Sequence, residues 1–74
     1  MKGRITSINH VKGFGFLRGD DGLSRFFHAR SVLPVADFDL LKETQIVEFE
    51  PYALSNPNAD LNNGLRARSV RRVA

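Results

Sequence analysis

The stretch KGFGFL, residues 12–17, is the part of the sequence that best indicates how the chain folds. Side chains alternate between the two faces of an extended strand, so Phe14 and Phe16 point to the same side. Gly13 and Gly15 then lie on the opposite side, where another part of the backbone can pack closely. We therefore expect two rings on an open face, beside the cation of the preceding lysine. The alternative is that both rings fill the core and the glycines face water.

A second aromatic stretch, FFH at residues 26–28, follows the turn signal DDG at residues 20–22. By period two, Phe26 and His28 share one face of a strand, and Phe27 belongs to the core. An antiparallel hairpin would combine these residues into a patch of four rings, Phe14, Phe16, Phe26 and His28. Exposed rings of this kind indicate a binding surface, on which nucleic-acid bases can stack while cations hold the phosphates.

The remaining patterns predict an all-β fold of five short strands, at about residues 2–11, 13–18, 24–28, 45–53 and 64–73. Residues 29–33 predict one helical turn that ends at Pro34. Residues 35–44 predict a loop in which Phe38 is exposed or half-buried, and residues 55–63 predict a mobile loop. No segment has a sustained helical period, so the strands are expected to close into a small barrel.

KGFGFL, DDG and FFH, in this order and spacing, resemble the paired ribonucleoprotein motifs of the cold-shock domain. The resemblance covers about the whole chain, since Gly3, Val47, Phe49 and Gly64 also match positions of that domain. It implies one domain over residues 1–74, folded as a five-stranded antiparallel OB-fold barrel. It also implies binding of single-stranded RNA or DNA, with an activity like that of an RNA chaperone or antiterminator.

The chain departs from this family at two stacking positions. Ser7 lies where cold-shock domains have a tryptophan, and Ala29 lies where they have a phenylalanine. Base–aromatic stacking contributes ~1–3 kcal/mol per base, so the two changes could remove ~2–6 kcal/mol. Guanidinium groups can offset part of this loss because they stack on bases and bind phosphate. The arginines without a clear counterpart in the family are Arg4, Arg25, Arg30, Arg66 and Arg68.

Charge is segregated along the chain. Residues 1–36 carry a net charge of +4, residues 37–64 carry −5, and residues 65–74 carry +4. Such segregation favours one phosphate-binding face, built from the first three strands and the last one. Alternatively, these charges only solubilise the surface.

Several other classes of function are not supported. The chain has no cysteine, and His10 with His28 makes a poor metal site, so we expect no metal and no cofactor. No nucleophile–base pair, carboxylate dyad or phosphate loop is apparent, so we expect no enzyme and no small-molecule substrate. The opening MKGRI is neither a signal peptide nor a membrane span. We therefore expect a cytoplasmic monomer that does not contact membranes.

The sequence predicts a module that binds single-stranded RNA or DNA with little sequence preference. The nucleic-acid-binding residues are expected to be Lys12, Phe14, Phe16, Phe26, His28, Arg30, Phe38, Arg66 and Arg68. A competing interpretation is an accessory or protein-interaction barrel of a larger protein that binds nucleic acid only weakly. The sequence does not decide between RNA and DNA, and it does not show whether Arg66 and Arg68 adjoin the aromatic patch.

Overall fold

The computed structural model describes residues 1–53 and 65–73, which form a closed barrel of five strands. The strands are β1 (Lys2–Asn9), β2 (Phe14–Gly19), β3 (Ser24–His28), β4 (Ile46–Ala53) and β5 (Leu65–Arg72). Around the barrel their order is β1-β2-β3-β5-β4. No helix within the described residues is long and apolar enough to span a membrane.

Strand pairing confirms the predicted all-β barrel and adds one detail. Four of the five neighbouring pairs are antiparallel, as expected. The fifth pair, β3 with β5, is parallel and sets Phe26 opposite Arg66. This parallel pairing closes the barrel, because it joins the β1–β3 meander to the β4–β5 pair.

The interior is built from alternate residues of each strand. Gly15 lies opposite Phe27 in the β2–β3 ladder, and both face inward. A Cβ at Gly15 would lie 2.7 Å from Cζ of Phe27 and 2.9 Å from the backbone oxygen of Ser7. Only glycine therefore leaves room for the ring, which is 1% exposed. The buried apolar core consists of Ile5, Leu17, Phe27, Val32, Phe38, Leu41, Val47, Phe49, Ala67 and Val70.

Several predicted strand boundaries and one predicted exposure differ from the structure. β1 ends at Asn9 and β2 begins at Phe14, because residues 10–13 form a turn in which Gly13 has a φ of +78°. The predicted loop after Pro34 contains 3₁₀ turns over Val35–Leu40. Residues 55–63 and Gly64, predicted as a mobile loop and the start of the last strand, lie outside the described residues.

The expectation that Phe38 is exposed or half-buried is wrong. Its side chain is 5% exposed and belongs to the core, with its ring edge-on to His10 at a centroid distance of 5.5 Å. His10 is held there by a contact of 3.0 Å between its Nε2 and the backbone oxygen of Leu41. An irregular segment has no fixed side-chain period, so the sequence did not reveal that Phe38 points inward.

Two bulges bend the sheet. In β1 the register shifts between Ile5 and Ser7, which leaves Thr6 as the extra residue opposite β2. In β5 the register shifts opposite Glu48 to Glu50, and Ser69 adopts a φ of +51°. A left-handed residue in a bulge is a position that favours glycine, because other residues are strained there.

We expect Ser69→Gly to raise the free energy of unfolding by ~0.5–1 kcal/mol, since it relieves strain in the left-handed region. Ser24→Gly is the matched control, because Ser24 lies on an exposed strand position where φ is not positive. The control should lower the free energy of unfolding by ~0.5–1 kcal/mol. Urea denaturation of both variants measures the difference, and equal effects would contradict the assignment of the bulge.

Candidate nucleic-acid interface

The outer face of β2 and β3 carries a cluster of three phenylalanine rings, Phe14, Phe16 and Phe26. Their centroids lie 5.6–6.2 Å apart, with Phe16 edge-on to both of the other rings. Phe16 lies directly opposite Phe26, and Phe14 lies opposite His28. Phe16 is 37% exposed, whereas Phe14 and Phe26 are half-buried. The predicted faces are therefore correct, and the alternative in which both β2 rings fill the core is wrong.

One end of this cluster carries cationic and imidazole groups. Lys12 lies exposed in the turn before β2, and its backbone N–H donates to Oδ1 of Asn9 at 2.9 Å. The backbone N–H of Ala29 donates to the oxygen of Gly13 at 2.9 Å and ties this turn to the 3₁₀ turn over Ala29–Ser31. Lys12 and the exposed Arg30 are thereby held at the same end of the rings.

His28 has a defined ring orientation at this end. The backbone N–H of Arg30 donates to Nδ1 of His28 at 3.1 Å, so a neutral ring carries its proton on Nε2. The side chain is exposed and stands opposite Phe14. It therefore offers a flat face for stacking and an N–H for an acceptor.

The other side of the cluster continues onto β5 and β4. Arg66 lies opposite Phe26, and its Cζ is 4.9 Å from the centroid of that ring. Arg68 lies one step further along the same face, with Cζ 5.3 Å from the ring of Tyr52. Nε of Arg68 donates to Oε2 of Glu50 at 3.2 Å, which offsets its charge. Arg66 thus adjoins the aromatic cluster directly, whereas Arg68 is already paired with a carboxylate.

These residues form a continuous outer row, because their strand registers coincide. Ser7 pairs with Phe16, Phe16 with Phe26, Phe26 with Arg66, and Arg66 with Tyr52. The row crosses all five strands of the barrel. In the residues that the structure describes, no group of three or more His, Asp and Glu side chains could hold a metal ion. The surface offers rings and donors for a flat, anionic ligand.

Comparison with known proteins gives an independent indication. The chain is 40% identical over 50 residues to a cold shock-like protein of Thermotoga maritima, a match that covers 68% of this chain and 74% of that protein. It is equally similar over 50 residues to cold shock-like protein CspE of Escherichia coli and CspC of Bacillus cereus, covering 72% and 75% of those proteins. The chain belongs to the cold-shock family. No model of a protein family matched it.

Cold-shock proteins are nucleic-acid-binding proteins and not enzymes, so the barrel and the outer aromatic face fit the family. The two departures from the family pattern have different structural settings. Ser7 is exposed on the outer face beside Phe16, because the bulge at Thr6 turns it outward. Ala29 is half-buried and packs against the core. At Ser7, the row therefore ends in an exposed position without a ring. Ala29 leaves no such exposed gap, because it packs against the core.

Sequence reasoning missed Tyr52 and misplaced Arg25. Tyr52 has the same parity in β4 as Glu48 and Glu50, which places it on the outer face, but its neighbours depend on the β5 register. Arg25 was expected among the arginines that could offset the lost rings. It is 6% exposed and has the parity of Phe27, so it points inward rather than onto the outer row. The alternation of β3 predicts this orientation, because Arg25 and Phe27 flank Phe26 and therefore lie on the opposite face from it.

The buried Arg25 forms a bidentate ion pair with Asp21, whose side chain remains partly exposed. Its two terminal nitrogens donate to Oδ1 and Oδ2 of the carboxylate at 2.9 and 2.6 Å, and its Cζ lies 5.5 Å from the ring of Phe49. A Cβ at Gly19 would lie 2.7 Å from Nη1 of Arg25 and 2.8 Å from Oδ1 of Asp21, so the ion pair packs directly against this glycine. Nε of Arg25 is buried without a hydrogen-bond partner among the described residues. The pair caps one end of the barrel and anchors the β2–β3 turn.

This environment lowers the pKa of Asp21 to about 2. The main cause is the hydrogen bonding from Arg25, and the backbone N–H of Leu23 adds to it. A carboxyl whose pKa is lower in the folded state stabilises the fold above its unfolded pKa, near 4. That contribution is lost as the pH falls through about 2.

We expect Asp21→Asn to lower the melting temperature at pH 7, because it leaves the Arg25 guanidinium buried without its counter-ion. The difference from wild type should stay constant above about pH 5 and shrink between about pH 4 and pH 2. Asp20→Asn, at the exposed neighbouring position, is the control and should change the melting temperature little. Thermal unfolding followed by circular dichroism measures both variants, and a gap that persists at pH 2 would refute the assignment.

Proposed function

We propose that this protein binds single-stranded RNA or DNA on the outer face of β2, β3 and β5. The observation that carries the proposal is the cluster of Phe14, Phe16 and Phe26, whose rings lie together on a barrel surface rather than in the core. A soluble domain rarely exposes several adjacent rings unless they contact a partner. Membership in the cold-shock family supports a nucleic acid as that partner.

Bases stack on the rings, while the polar groups around them contact the sugar–phosphate backbone. Lys12 and Arg30 supply positive charge at the turn end, and Arg66 supplies it at the β5 side. His28 adds a further stacking face beside Phe14. Because every base has a π-face, this mode of binding distinguishes poorly between sequences. It excludes duplexes, whose bases are stacked on one another and inaccessible to a flat sheet.

The same mode supports an RNA-chaperone-like activity. Bases held on the protein rings are withdrawn from pairing with other segments of the same strand. The binding then opposes hairpins without any catalytic step. Phe38 has no part in this proposal, because its ring is buried in the core.

We expect Phe16→Ala to weaken binding of a fluorescein-labelled single-stranded oligonucleotide by ~1–3 kcal/mol, because one stacking face is lost. Its free energy of unfolding should change by less than that of Phe27→Ala, for which ~3–5 kcal/mol is expected of a buried ring. Fluorescence anisotropy and urea denaturation give the two quantities. Equal affinity of the wild type for a duplex of the same length would contradict the stacking mode.

The salt dependence of the affinity distinguishes the contribution of base stacking from that of phosphate contacts. Contact with about four phosphates gives a slope of about −3 in a plot of log affinity against log salt. Lys12→Ala should reduce that slope by about 0.7, whereas Phe16→Ala should lower affinity without changing it. Arg68→Ala is the matched control and should have the smaller effect, because its guanidinium is paired with Glu50. Affinities at four salt concentrations between about 50 and 200 mM test this, and a flat plot for wild type would exclude phosphate contacts.

A further inference from the structure

Tyr52 and Arg66 extend the aromatic cluster towards β4. Both residues lie on the outer face, in register with Phe26 and Phe16. Neighbouring strands are ~4.8 Å apart, so Tyr52 on β4 stands ~10 Å from Phe26 on β3, with Arg66 between them. The row therefore presents a ring, a guanidinium and a second ring in sequence across the sheet.

The contacts in this row have the chemistry of a stacking surface. Cζ of Arg66 lies 4.9 Å from the centroid of the Phe26 ring, and Cζ of Arg68 lies 5.3 Å from that of Tyr52. Guanidinium groups lie flat on aromatic rings and stack on bases in the same way. Tyr52 is half-buried, so part of its ring faces solvent. Its hydroxyl provides a donor beside the stacking face.

We propose that Arg66 and Tyr52 form an additional base-stacking subsite, so that a bound single strand crosses the barrel from β2 to β4. The subsite takes one further nucleobase of the same strand, stacked on the guanidinium and the phenol. This inference rests on the proposed function, because it lengthens the same binding surface. It assigns base stacking to the β4 side of the row, whereas the proposed function needs only the aromatic cluster on β2 and β3.

Acidic side chains lie along one side of this subsite. Glu48 and Glu50 share the outer face of β4 with Tyr52, and Glu50 is paired with Arg68. Phosphate is repelled from that direction, so the strand is directed over Arg66 rather than along β4. The subsite therefore binds a base rather than a run of backbone.

The composition of the chain provides a direct readout. Tyr52 is the only tyrosine, and the chain has no tryptophan, so the tyrosine emission of the whole protein reports this position alone. Oligothymidine of about 12 nucleotides is the probe, a length within the ~4–16 nucleotides that one OB-fold covers. We expect its titration to quench the emission and to saturate together with the anisotropy of the labelled oligonucleotide. Free N-acetyltyrosinamide under the same titration corrects for absorption by the probe.

Variants distinguish stacking from packing and from charge. Tyr52→Leu keeps an apolar strand residue but removes the ring, and we expect about a fivefold or greater loss of affinity. Tyr52→Phe should retain the affinity of the wild type, since its ring remains. Arg66→Lys should weaken binding with an unchanged salt slope, because lysine keeps the charge but not the planar group. Ile46→Ala is the control on the same outer face of β4, about 20 Å away, and should not alter binding.

The outcomes separate this inference from the proposed function. Binding of the oligonucleotide with tyrosine quenching and a weakened Tyr52→Leu variant supports the subsite. If the oligonucleotide binds but the tyrosine stays unquenched, or Tyr52→Leu binds within twofold of wild type, the subsite is overturned and the Phe cluster still stands. If wild type binds no single strand, the proposed function fails and the subsite fails with it.

Discussion

The close packing of Phe27 against Gly15 is the contact on which the exposed aromatic face depends. A Cβ at Gly15 would lie 2.7 Å from the Phe27 ring, so only glycine permits this pairing of β2 with β3. The pairing fixes the register, and a slip by one residue would exchange the inner and outer faces of a strand. Because Phe27 fills the interior, the rings of Phe14, Phe16 and Phe26 are left on the outside. The burial of Phe27 and the exposure of the three surface rings are thus consequences of one constraint.

Arginine has two opposite roles in this barrel, and strand parity decides which one a given residue has. Arg25 points inward, where a bidentate carboxylate compensates its burial and makes the β2–β3 turn part of the fold. Arg66 points outward and lies over a surface ring. A net positive charge by itself therefore says little about the size of a phosphate-binding face. The charge that reaches the aromatic cluster is smaller than the count of arginines, since Arg68 is also paired.

Much of the fold followed from the sequence, because alternation and turn residues specify it locally. The faces of Phe14, Phe16, Phe26 and Phe27 were predicted correctly from period two. What could not be predicted depends on contacts between segments distant in sequence. Phe38 lies in an irregular segment without a period, and its burial results from packing on the closed barrel. The neighbours of Arg66 and Tyr52 depend on the parallel β3–β5 pairing and on the register of β5 with β4.

The absence of a ring at Ser7 can be compared with the residues at the other end of the outer row. Ser7 and Tyr52 occupy the two ends of one row that crosses the five strands. The cold-shock pattern has an aromatic residue at the Ser7 end, and this chain instead has a tyrosine and a guanidinium at the other. With the proposed subsite at the β4 end and the three central phenylalanines in place, the stacking surface keeps its length while its centre moves from β1 towards β4. Under the proposed function, the loss of one stacking platform displaces the binding surface of this barrel rather than removing it.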